Sequence, residues 1–469
     1  MKRRQFLRGT GALGATGAFA LLGGCEQPST EPQSPIAYEP GKPVPWINWA
    51  GNQSCQPQHR PAPASIDELV SVLKNAKGTV RAVGAGHSFS AVVPTDDTLI
   101  ATDLLSGVID HDPVTNTAQV LSGTRLHDLG YMLADIGQAL PNMPDMAYLA
   151  LGGAIVNCAH ATGVNFGSMG SYVNSLRLAT VGGELLECSP SSNPDIFKAA
   201  LTSAGALGIV TDFTLQNQAD FDLTEVNKIE PLEDMLDDIE NRKANNRHFE
   251  LFALPHASVG ISVSTNPAQP GDKAQGQDDP QAVNTLRDVF NAIAWIPGVG
   301  SRLYDKLLTA VMGNEAETIR TGKAHEVLPH VRIVRFREME YTVPAELGPA
   351  CLREIMATIR NKQLPLSFPI EYRYVKADDI WLSMFQGQDG ATISIHQYGD
   401  LDYRPIFAEL EPIFWRYGGR PHWGKLHTLK SSDLAELYPK HWRDFLAVRE
   451  SLDPDKRLMN AHLKELFGA

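Results

Sequence analysis

Four stretches hold residues whose types and spacing could do chemistry. The first is Val83-Gly84-Ala85-Gly86-His87-Ser88-Phe89-Ser90. Two glycines around a tight turn let backbone N–H groups approach a phosphate closely, and the loop also offers the imidazole of His87. A neutral imidazole is nucleophilic at ordinary pH, and its small neighbours leave room for a flat ring. The second stretch is Pro369-Ile370-Glu371-Tyr372-Arg373-Tyr374, whose alternation predicts a strand with Glu371 and Arg373 on one face. A carboxylate that accepts and a guanidinium that donates can grip a molecule rich in hydroxyls; the same pair on a solvated face would be a weak salt bridge. The third, Ile393-Ser394-Ile395-His396-Gln397-Tyr398, puts His396 on the face of Ser394 and Tyr398. The fourth is Lys425, in Arg420-Pro421-His422-Trp423-Gly424-Lys425. Its ammonium can stabilise negative charge developing on an oxygen, and burial would make a role in taking a hydroxyl proton possible.

These residues need elements to hold them. Ser65-Ile66-Asp67-Glu68 reads as a capping box, and Ile66, Leu69, Val70 and Leu73 recur at helical spacing, predicting a helix over 66–76. Thr79 to Val83 reads as a strand running into the Gly-Ala-Gly turn, with further strands at Leu99–Thr102 and Gln119–Leu121 and a helix near Arg125–Ile136. The mixture is α with β. The turn is a poor dinucleotide fingerprint, because Phe89 takes the third glycine position and Pro94 arrives before a useful helix could form. Residues 266–281 have loop composition. None of the five cysteines forms a C-x-x-C pair; Cys158 reads as a small buried residue, while Cys55, Cys188 and Cys351 could be free or paired.

The loop at 83–90 resembles the pyrophosphate loop of the vanillyl-alcohol oxidase superfamily of flavoproteins, and within it the aldonolactone oxidase group (D-arabinono-1,4-lactone, L-gulono-1,4-lactone and alditol oxidases). Trp46 to Asn52 is similar to the group's N-terminal segment. Leu151-Gly152-Gly153-Ala154 to His160-Ala161-Thr162-Gly163, and Ala204-Gly205-Ala206-Leu207-Gly208-Ile209-Val210-Thr211, resemble two other flavin-contacting segments. Arg420 to Lys425, with Leu452-Asp453-Pro454 and Asn460, resembles the C-terminal signature. The resemblance runs from about Trp46 to Gly468 and is weakest through 220–360. It implies an α+β, two-domain FAD-binding fold of the vanillyl-alcohol oxidase type, with an FAD-binding domain at 46–220, an antiparallel-sheet substrate or cap domain at 221–429, and a C-terminal segment, 430–469, returning to the first domain. It implies FAD held covalently through His87, with Gly84, Ala85, Gly86, Ser88, Phe89, Gly152, Gly153, His160, Gly163, Gly205, Gly208, Ile209 and Asn460 as its other contacts. The group follows the second histidine with glycine; here Ala161 follows His160, which works against close backbone approach to the cofactor.

The reaction implied is oxidation of a CHOH group of a sugar lactone, alditol or related polyol, as in D-arabinono-1,4-lactone oxidase. Hydride would pass to flavin N5 and the hydroxyl proton towards Lys425, helped by His396. Glu371 and Arg373 would fix the other hydroxyls. O2, giving H2O2, is the expected acceptor. An exported dehydrogenase serving a quinone or other acceptor is the alternative; a non-catalytic flavin- or sugar-binding lipoprotein and a nicotinamide enzyme rank below it.

Lys2-Arg3-Arg4-Gln5-Phe6-Leu7-Arg8 and the Gly- and Ala-rich run after it resemble a Tat export signal, and Leu22-Gly23-Gly24-Cys25 resembles a lipobox. The expectation is a signal over 1–24, lipidation of Cys25, a Pro-rich linker over 25–45, and a protein tethered to the periplasmic face of a membrane by lipid alone. Tat export carries folded proteins, which suits a chain that acquires its cofactor first. With 469 residues, 43% hydrophobic and 20% charged, the rest has the composition of a globular enzyme of two or three domains. A net charge of −13 argues against a nucleic-acid partner. No apolar run reaches the ~20 residues of a membrane span, and no metal site is expected.

Overall fold

The computed structural model describes residues 44–274, 317–331 and 333–468, with isolated positions between 287 and 306. The signal segment, Cys25, most of the linker and the part of the predicted loop over 275–281 lie outside the described residues.

The helix expected after Ser65 spans Ile66–Asn75. The Ser65 hydroxyl accepts from the Glu68 N–H, and the Glu68 carboxylate reaches back to the Ala64 N–H at 2.7 Å. Leu69 and Leu73 on its inner face pack with Val80, Ile100, Leu105, Ala179 and Ile209. That cluster joins the helix to a parallel strand pair, Val80–Val83 with Thr98–Ala101. It also reaches an antiparallel five-stranded sheet in the order Val108–Asp112, Thr117–Leu121, Ile209–Gln216, Val173–Ala179, Leu185–Cys188. The helix expected near 125–136 is Leu126–Asp135.

The second body is an antiparallel sheet of eight strands in the order Thr318–Lys323, Asp222–Pro231, Val259–Pro267, His248–Ala253, Ile370–Val375, Gly390–Tyr398, Phe336–Pro344, Arg420–Pro421. Its central strands are buried on both faces. One face takes the helices Gly348–Asn361 and Arg404–Arg416: a Cβ on Gly348 would lie 2.2 Å from the Tyr372 hydroxyl, and Tyr341 stacks on Phe414 at 4.8 Å. Side chains alternate between faces along a strand, so the opposite face carries Glu250, Glu338, Glu340, Glu371, Arg373, Ser394 and His396, and it is covered by the first body.

The last described residues lie against the N-terminal half. The buried Arg81 guanidinium donates to the carbonyls of Val92, Ala204, Gly205 and Leu458, and Arg457 donates to those of Val181, Leu73 and Ala76. Cys55, Cys158, Cys188 and Cys351 are buried free thiols. Among the described residues no helix is long and apolar enough to cross a membrane.

Candidate active site

The 84–90 loop is clamped from two sides. From the N-terminal segment, Trp49 N–H donates to the Gly86 carbonyl, Asn48 Nδ2 to that of Ser88, and Asn52 Nδ2 and Gln53 Nε2 to that of Phe89, all at 2.8–3.0 Å. From the C-terminal side, Phe89 N–H donates to the Gly424 carbonyl at 2.7 Å and Ser90 Oγ to that of Trp423 at 2.8 Å. The second clamp brings Lys425 beside the loop, its Nζ 5.0 Å from the centre of the Phe89 ring.

His87 stacks on Trp49 at 4.3 Å, and its Nε2 is buried with no hydrogen-bond partner. Burial, helped by the positive charge of Lys425, pushes its pKa down to about 4, so the ring is neutral and keeps a lone pair at ordinary pH. Among the described residues the N–H groups of Ala85, Gly86, His87 and Ser88 find no acceptor. Gly84 is required by packing, since a Cβ there would sit 2.4 Å from that of Ala150, which leads into the helix Leu151–Val156 with Gly152 and Gly153. Beside it, Ser122 Oγ is buried and unpartnered. A row of free donors, an orphaned hydroxyl and a neutral stacked imidazole fit a pyrophosphate joined to a flat ring.

Across from this loop lies the polar face of the cap sheet. Register sets Glu371 beside Ser394, Ser394 beside Glu340, and His396 beside Glu338. Glu340, fully buried, accepts from His160 Nε2 at 2.6 Å and from Arg373 Nη2 at 3.3 Å. Arg373 also pairs with Glu371 at 3.3 Å. Lys425 Nζ donates to Glu338, with Glu340 4.0 Å away, and His396 Nε2 lies 3.6 Å from Glu338. Burial opposes ionisation of both glutamates, yet Lys425 and His396 hold Glu338, and His160 and Arg373 hold Glu340, well below the usual carboxylate range. Ligand atoms of Glu338, Glu371 and His396 lie within 4.8 Å of one another, a spacing a cation could use, but the Lys425 ammonium already serves Glu338.

The structure thus gathers Glu371, Arg373, His396, Lys425 and His160 on one wall, near His87. It alters several of the expected roles. Lys425 donates to a carboxylate, so its geometry suits a fixed positive charge better than a proton acceptor. Asn460 uses its whole amide inside the chain: Oδ1 caps the helix Ala461–Phe467, and Nδ2 holds the carbonyls of Ala91 and Pro94 at 2.8 and 2.9 Å. It positions the cofactor loop from behind. Gly163 N–H donates to the Tyr374 carbonyl at 2.7 Å, docking its segment on the cap sheet. Gly205, Gly208 and Ile209 lie by Arg81 and the strand Val173–Ala179, away from the charged wall. Cys158 is buried, within 3.4 Å of Ser383 Oγ. Sequence reading missed Glu338 and Glu340, although Phe336-Arg337-Glu338-Met339-Glu340-Tyr341 carries the alternation that exposed Glu371 and Arg373.

Residues 213–466 match the family model described as D-arabinono-1,4-lactone oxidase. The chain belongs to that family. Residues 57–189 match a second model, the FAD binding domain, and include the clamped loop. The chain is 35% identical to an L-gulono-1,4-lactone dehydrogenase of Mycobacterium tuberculosis, over 90% of this chain and 99% of that one. It is 28% identical to the L-gulonolactone oxidase of Bos taurus (91% and 99% covered) and to an alditol oxidase of a Streptomyces species (90% and 98% covered). A cholesterol oxidase from Brevibacterium sterolicum shares the fold at TM-score 0.73 and 16% identity, over 92% of this chain and 100% of that one. The family makes this an FAD-dependent oxidoreductase acting on CH–OH donors, and its fold is the two-part α+β flavoprotein fold with antiparallel sheets.

Proposed function

We propose that this enzyme oxidises a CHOH group of a sugar lactone or alditol, with FAD attached through His87. The observation that carries the reading is the charged wall facing the His87 loop: Glu371, Arg373, Glu338 and Lys425 offer acceptors and donors to several hydroxyls at once. When bound, FAD supplies the hydride acceptor. Arg373 and Glu371 hold and orient the substrate. Lys425, held in place by Glu338, stabilises negative charge on the reacting oxygen. His396, beside Glu338 and with Nδ1 3.3 Å from the Pro369 carbonyl, is placed to help receive the hydroxyl proton. The orphaned Nε2 of His87 supports a covalent N–C bond to the flavin.

O2 is the acceptor in this reading. The name of the 35%-identical relative, a dehydrogenase, favours the second reading, in which another acceptor takes the electrons. Purified protein should be bleached anaerobically by a lactone or alditol; readmitted air then yields peroxide in the first reading, and only an added dye or quinone restores colour in the second. A flavin that no sugar lactone or alditol bleaches overturns the substrate class. The twin-arginine start and Cys25 support export and a lipid tether, which globomycin-sensitive processing in a bacterial host would test.

A further inference from the structure

On the same sheet face, one strand beyond Arg373, lies a cavity of about 30 Å³, room for one water or hydroxyl. Most polar groups lining it are already bonded. Asn142 Nδ2 and His248 Nδ1 donate to the Thr162 carbonyl at 3.1 and 2.8 Å, Thr162 Oγ1 donates to the Phe249 carbonyl, and Asp145 and Glu225 are bound by His330. Besides the Thr265 hydroxyl, two lining groups are left over. The buried Arg373 has an Nε–H with no partner, and the Glu250 carboxyl, its register partner, has no hydrogen bond among the described residues. A donor and a carboxyl left open around a one-oxygen space are costly unless something bridges them.

We propose that this cavity is a hydroxyl subsite, in which Arg373 Nε and Glu250 receive the terminal CH2OH oxygen of the substrate, on the far side of the Glu371–Arg373 pair. This rests on the substrate class proposed above. The charges around Glu250 favour a neutral guest. Burial and then Glu371 push its carboxyl up to about 8, with Asp145 acting in the same sense and Arg373 and His330 against it, which favours the protonated form, able both to donate and to accept.

The test compares D-arabinono-1,4-lactone and L-gulono-1,4-lactone with analogues lacking the terminal hydroxyl, in wild type, Glu250→Gln and Glu250→Ala, each checked for flavin content. The readouts are kcat and KM separately, and the thermal shift each compound gives without turnover. The wild type should prefer the better parent by at least about tenfold, the scale of one satisfied buried hydrogen bond. Glu250→Gln should keep most of that preference, and Glu250→Ala should bring it near one by weakening the parent. Equal use of parent and deoxy analogue by the wild type overturns the proposal and assigns the cavity to water. A preference that survives in Glu250→Ala removes Glu250 from the subsite. If the flavin is bleached by none of the compounds tested, the substrate class fails and the subsite with it.

Discussion

Glu340 is the residue on which the site turns. One buried carboxylate holds His160 from the cofactor side and Arg373 from the cap sheet. Breaking a buried, hydrogen-bonded ion pair costs about 3–5 kcal/mol, because a buried charge is left without that partner. Glu340→Gln should therefore lower kcat/KM, by about 100-fold, and the thermal midpoint; Lys425→Met strips the buried Glu338 of its cation and should lower the midpoint too, with kcat itself down by about 10²–10³. Steady-state kinetics separates the two variants, and thermal melts check both. His87→Ala should release the flavin: after acid precipitation the yellow colour moves from pellet to supernatant. Alternation exposed Glu371, Arg373 and His396 in the sequence, because the strand period is local. That Lys425 is paired with Glu338 was not legible, since the partners are 87 positions apart and meet only through the register of two strands.

At the scale of elements, the local signals were sound. Ser65 and Glu68 marked a helix start, and the predicted strands at 99–102 and 119–121 lie within two residues of Thr98–Ala101 and Thr117–Leu121. The strand order of the cap sheet could not be read, because its neighbours are set by long-range pairing and by the helices behind it. The short C-terminal helix shows how tightly elements depend on one another. Asn460 starts it and at the same time ties down Ala91 and Pro94 behind the cofactor loop. Asn460→Ala loses a cap and two partly buried bonds, for about 1–2 kcal/mol of stability. The expected outcome is a lower urea midpoint together with weaker retention of flavin in a His87→Ala background, where the proposed covalent bond cannot mask the loss.

The two bodies of the molecule are also pinned at the edge of their interface. His330 donates to Asp145 of the first body at 2.7 Å and lies 3.2 Å from Glu225 of the cap sheet. Burial disfavours its charge, but the two carboxylates win and push its pKa up to about 10 from an ordinary 6.5. A folded-state pKa raised in this way adds stability that is complete below about 6.5 and is lost as pH rises through about 10. Melting temperatures should accordingly fall between pH 6.5 and 10, and His330→Gln should flatten that part of the curve. The composition showed a globular, acidic enzyme, and the ordered motifs showed its family; neither showed this pin, because a lone histidine in a weakly matching stretch carries no local signal. Finally, the flavin loop is held by residues 46–53 on one side and by residues 422–425 and 460 on the other. During synthesis the second set is still inside or behind the ribosome's exit tunnel when the first is already outside. The nascent chain therefore completes the clamp around this loop only after residues 422–460 have emerged, long after the loop itself has been made.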